Sequence, residues 1–105
     1  MTAEILYDDY IMMLVDMEAD IEEALKKEYE KLWRAETLER DEEIFKIAEN
    51  IEKLKTALCI VITVRLQLQS AKKLGPNAQK AIFEITQGSI QQAEKRLLEV
   101  LLDHE

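Results

Sequence analysis

With 105 residues, the chain is long enough for one domain with a modest core and too short for two. A hydrophobic content of 48% excludes a disordered chain, and having only two glycines and one proline, all within 75–88, excludes a sheet protein, which needs turn residues at short intervals. The net charge of -8 argues against a contact that displaces counterions from nucleic acid and against anionic membrane surfaces, while it suits a basic or amphipathic protein partner.

At the N-terminus, MTAEILYDD is acidic where a secretory leader would be basic, so no leader is expected. Apolar residues then recur at helical spacing through Leu6, Tyr10, Met13, Met17, Ile21, Ala24 and Leu25 to Leu32, predicting a first helix over about 4–35. Asp8, Asp9, Asp16, Glu18, Asp20, Glu22 and Glu23 crowd this helix. Their expected role is a solvated face, balanced by pairs one turn apart such as Glu22–Lys26, Glu23–Lys27 and Glu30–Arg34. Tyr29 and Trp33 sit among Lys26, Lys27, Lys31 and Arg34, the one basic and aromatic grouping in the chain. They are expected to pack at the core or at the hinge that follows, the alternative being an aromatic binding hot spot.

The stripe lapses over ETLERDEE, residues 36–43, which predicts a connection. Thr37 and Asp41 are the candidate caps of a second helix, with Glu42 and Glu43 in its first turn, where negative charge is favoured. The rival is an unbroken helix of roughly 70 residues, about 105 Å long. The second helix is predicted over about 41–74, through Ile44, Ile47, Ile51, Leu54, Leu58, Val61, Ile62 and Leu68. ITVRLQLQ within it alternates like a strand, but it continues a helical stripe with no turn residue between, and it is read as helix. The longest apolar run, residues 57–64, is far short of the roughly 20 residues of a membrane span. Cys59 lies in that run and is read as a small buried hydrophobe; as the single cysteine it forms no disulfide within the chain. Arg65 interrupts the stripe and either reaches solvent or pairs with a carboxylate across an interface.

Lys72, Lys73, Leu74, Gly75 and Pro76 read as one helix end followed by another start, which predicts a third helix over about 76–103. Its middle, TQGSIQQA, is small and polar. A glycine inside a helix costs about 1 kcal/mol relative to alanine, so Gly88 predicts a close approach by a neighbour.

The expected fold is all-α: a single domain over 1–105, built as an antiparallel three-helix bundle with long helices. YIMMLV at 10–15 and ALCIVITV at 57–64 are apolar on all sides and lie at similar distances from the first connection, so they should meet at one height. A slim third helix leaves part of that band uncovered, and large uncovered apolar patches mark interaction sites. Ile11, Met12, Val15, Ile60, Val64 and Gly88 are therefore the candidate interface residues, in a homodimer or against an amphipathic helix of another protein. The reading is a non-enzymatic, cytoplasmic interaction module with no cofactor: an adaptor, a small chaperone or an assembly subunit.

Two other readings remain open at this stage. A metal-dependent hydrolase would need Asp16, Asp20 and Glu23 to converge with Glu49 and Glu52 in a pocket. A nucleic-acid-associated protein would need Lys72, Lys73, Lys80 and Arg96 on one face. A zinc site is not possible with one Cys and one His, and His104 is the only histidine for a nucleophilic set. RDEEIFKIAENIEKLK followed by a long helix resembles the helical hairpins of membrane-remodelling, ESCRT-III-type proteins, over about a third of the chain. Small acidic helical chains equally resemble secretion chaperones. No diagnostic motif accompanies either resemblance, and neither carries a residue role to this chain.

Overall fold

The computed structural model describes the backbone of residues 3–102 and the side chains of residues 7–102. Leu6, His104 and the expected helix end at Asp103 lie outside the described side chains. Three helices follow one another: α1 (Ala3–Thr37), α2 (Asp41–Ala71) and α3 (Pro76–Leu102). They form an all-helical bundle 55 × 23 × 18 Å in extent, which rules out the unbroken 70-residue rod.

The first connection is tighter than expected. α1 runs on to Thr37, and only Leu38, Glu39 and Arg40 separate it from α2. The amide of Arg40 donates to the Ala35 carbonyl and that of Glu39 to the Glu36 carbonyl, at 3.0 and 3.2 Å. This is the Schellman pattern that satisfies the last carbonyls of a helix. Its left-handed position normally takes glycine; here it is held by Glu39, at φ 55°. Neither expected cap serves α2. Thr37 Oγ1 bonds back to the Trp33 carbonyl at 2.9 Å, and Asp41 is already the first helical residue. Asp41, Glu42 and Glu43 do occupy the first turn, where they favour the helix dipole.

The second connection follows the sequence more closely, although α2 ends at Ala71 rather than at Leu74. Lys73 and Leu74 donate to the carbonyls three residues before them, at 3.2 and 2.9 Å, so the chain tightens before it turns. Gly75, at φ 107°, makes the turn in a conformation that residues with a side chain rarely adopt, and Pro76 opens α3.

The larger of two core clusters draws on all three helices. α1 supplies Tyr7, Ile11, Leu14, Ile21 and Ala24, α2 supplies Leu54, Ala57, Val61, Val64 and Leu68, and α3 supplies Ile90, Ala93, Leu97 and Val100. A smaller cluster of Ala35, Ile47 and Ile51 lies under the first turn. α2 packs closely against both other helices, whereas the backbones of α1 and α3 approach at few points. Polar contacts fix the ends. Tyr7 donates its hydroxyl to the Leu68 carbonyl, and Lys72 meets Asp8 at 2.6 Å. Gln87 donates to the Tyr10 hydroxyl at 3.2 Å, beside an edge-to-face contact of Tyr10 with Phe83 at 4.8 Å. Nearer the middle of α2, Lys53 lies 3.5 Å from Glu99, toward the end of α3.

Candidate protein-interaction surface

The band that looks apolar on all sides of α1 is two stripes, one residue apart. Each residue turns the helix by about 100°, so a position just after a core residue points sideways and out. Tyr7, Ile11, Leu14, Ile21 and Glu28 are buried. One residue on from four of them stand Met12, Val15, Glu22 and Tyr29, and all four are exposed. With Ala19, Lys26 and Trp33 they keep a spacing of three and four residues from 12 to 33, a seam about 32 Å long. Met12 is 57% exposed, Tyr29 45% and Trp33 70%. The aromatic pair therefore belongs neither to the core nor to the hinge, as expected from sequence, but to the outer face of α1. Two shallow depressions lie along this seam. Ala19, Glu22, Glu23, Lys26, Lys27 and Glu30 line one. Lys26, Tyr29, Glu30, Trp33 and Arg34 line the other.

The six candidate interface residues separate into distinct environments. Ile11 and Val64 lie in the chain's own core. Ile60 is half-buried against it. Met12, Val15 and Gly88 are exposed. α3 covers more than its composition suggests, because Thr86, Ile90 and Ala93 face inward at helical spacing while Gly88 and Ser89 turn to the other side. Among the described residues no neighbour approaches Gly88: a Cβ there would meet nothing within 4 Å. Cys59 is exposed, contrary to expectation, because it falls between the inward positions Ala57 and Val61.

Arg65 pairs within the chain. Its Nε donates to Glu18 Oε2 at 2.8 Å and its Nη2 to Oε1 at 3.4 Å, a two-pronged contact between α2 and α1. Of the expected pairs along α1, Glu23–Lys27 is formed at 3.7 Å, between two well-exposed side chains. Two tyrosines have raised pKa values. Burial raises that of Tyr7, and the neighbouring Asp8 charge adds to it. Burial also raises that of Tyr10, against the opposing hydrogen bond from Gln87.

The acidic residues do not converge. Asp16, Asp20 and Glu23 are exposed, Glu49 lies 3.6 Å from Lys53, and Glu52 lies 3.9 Å from Lys55. Among the described residues no three His, Cys, Asp or Glu side chains gather as a metal site. Nor do Lys80 and Arg96 share one face, since sixteen residues at about 100° each set them about 160° apart around α3. Lys72 is held by Asp8, and Lys80 and Arg96 stand about 24 Å apart along α3. No described helix is long and apolar enough to cross a membrane. No family model matches the chain, and no curated protein or solved structure matches it.

Proposed function

We propose that this chain is a non-enzymatic helical interaction module, an adaptor or assembly subunit, whose long helices run antiparallel and which binds other helices through apolar positions left outside its core. The antiparallel arrangement is supported by the pairing of the start of α1 with the end of α2, at Tyr7–Leu68 and Asp8–Lys72, and by the meeting of Ala35 with Ile47 at the opposite end. The observation that carries the function is the outer stripe of α1. Large apolar side chains at Met12, Val15, Tyr29 and Trp33 stand in water at the repeat by which helices pack against one another.

The test is the solution mass by light scattering, from about 1 μM to about 1 mM. It compares the wild type with Val15→Glu, Leu66→Glu, Ile85→Glu and Leu98→Glu, each of which charges a different exposed apolar position. Association that one of these changes abolishes supports the reading. A wild type that stays at 12.2 kDa throughout ends the homo-oligomeric form of the proposal. The reading as a whole fails if association occurs and none of the four changes alters it.

A further inference from the structure

The outer stripe of α1 is complementary to itself. Its inner six positions are Val15, Ala19, Glu22, Lys26, Tyr29 and Trp33. When a second α1 is laid against it in the opposite direction about a two-fold axis, one register sets Trp33 opposite Val15, Tyr29 opposite Ala19 and Lys26 opposite Glu22 of the second copy. The two-fold then repeats each contact. Both aromatic rings meet small or medium side chains, and both central charges meet their opposites. The depression over Ala19, walled by Glu22, Glu23 and Lys26, is where the Tyr29 ring of the second copy would seat.

Neighbouring registers lose this match. A shift of one heptad sets Val15 against Lys26 and Asp8 against Trp33. A parallel, in-register pair sets Glu22 on Glu22 and Lys26 on Lys26, and like charges face to face are costly. On the rim of the antiparallel pair, Asp16 and Glu23 come within one turn of Arg34 and Lys27 of the second copy but equally of its Glu30 and Glu23, so the rim carries charges of both signs and the matched pairs are those of the seam itself. The seam runs about 32 Å, and all its members are exposed in the single chain, so pairing buries surface that the fold leaves open.

We infer that two copies of this chain associate through α1, antiparallel, with Glu22 and Lys26 as the reciprocal pair at the centre. The inference rests on the interaction reading above and supplies its partner. An interface of one helix from each copy is at the small end of specific contacts, so the dissociation constant is expected on the order of micromolar.

Charge exchange tests the register. Glu22→Lys and Lys26→Glu each place like charges opposite one another twice, and each should weaken dimerisation about tenfold or more. Mixed one to one, the two variants place opposite charges at both contacts, and dimers should return as heterodimers. The double variant Glu22→Lys/Lys26→Glu should dimerise like the wild type. Both positions are exposed, and circular dichroism verifies that each variant is folded. A wild type that is monomeric to about 1 mM overturns the inference, and so does a mixture of folded variants that stays monomeric. A dimer indifferent to both single changes but broken by Ile85→Glu or Leu98→Glu overturns this seam and leaves the interaction reading standing.

Discussion

Leu54 lies at the middle of α2 with no exposed surface, in the cluster shared by all three helices. Truncation to alanine removes three carbon groups from that cluster. At about 0.8 kcal/mol for each buried carbon group, the lost transfer energy is about 2.4 kcal/mol. The cavity left behind adds to this, because close-packed neighbours relax only in part, and the total comes to about 3–5 kcal/mol. A domain of this length is stable by roughly 5–15 kcal/mol, so Leu54→Ala removes a large share. Its melting temperature should fall by at least about 12 °C, and its urea midpoint should fall with no change in slope. Ile85→Ala is the matched control. Ile85 is of similar size but 74% exposed on α3, and its truncation should stay within about 0.5 kcal/mol. The assay is urea unfolding followed by far-ultraviolet circular dichroism, at protein concentrations low enough to hold the chain as a monomer. Equal losses from the two substitutions would refute the placement of the core between α2 and its neighbours.

Four further outcomes follow from the geometry. Glu39→Gly should stabilise by about 1 kcal/mol in the same assay, because glycine adopts the left-handed position of the first turn without a Cβ penalty. Gly88→Ala should also stabilise, by about 0.5–1 kcal/mol, since the added Cβ meets nothing in the chain; a loss of association instead would place Gly88 against a partner. Asn50 is buried, and among the described residues nothing donates to its Oδ1, so Asn50→Leu is expected to raise stability by about 1 kcal/mol, with a lower melting temperature as the contrary result. Tyr7→Phe should cost about 1 kcal/mol near neutral pH through the lost bond to the Leu68 carbonyl. The folded state raises the Tyr7 pKa above its unfolded value near 10, so this contribution is complete below pH 10 and is lost as pH climbs through the raised value. Wild type should therefore lose more stability than Tyr7→Phe as pH rises above about 10, and parallel losses would contradict the assignment.

Residues with strong backbone preferences were the legible ones. Gly75 and Pro76 mark the second turn because one alone takes a positive φ freely and the other cannot continue a helix. The first turn was locatable only as a gap in the stripe. Its decisive residue is a glutamate at a glycine position, which no preference scale would select, and the turn is held by main-chain bonds that leave no mark in the side chains. The outer surface of α1 was partly legible. Periodicity announced that apolar residues exceed what one face needs. It could not say which of two stripes faces inward, because 11 and 12, or 14 and 15, fit helical spacing equally well until α2 and α3 choose between them. Trp33 shows the same limit: a large aromatic carries a strong prior for the interior, and nothing in a single sequence records that its neighbours at Leu32 and Ala35 already fill that side.

The position of Trp33 has a spectroscopic consequence. It is the only tryptophan in the chain, and its indole stands in water while the chain is folded. Its emission should therefore resemble that of indole in water both before and after unfolding, making intrinsic fluorescence nearly blind to the melting of the monomer. The same ring sits at the end of the proposed seam. Contact with a second surface would strip its hydration, shift its emission to the blue and slow its collisional quenching by iodide, so the residue that reports poorly on folding is built into the chain as a reporter of association.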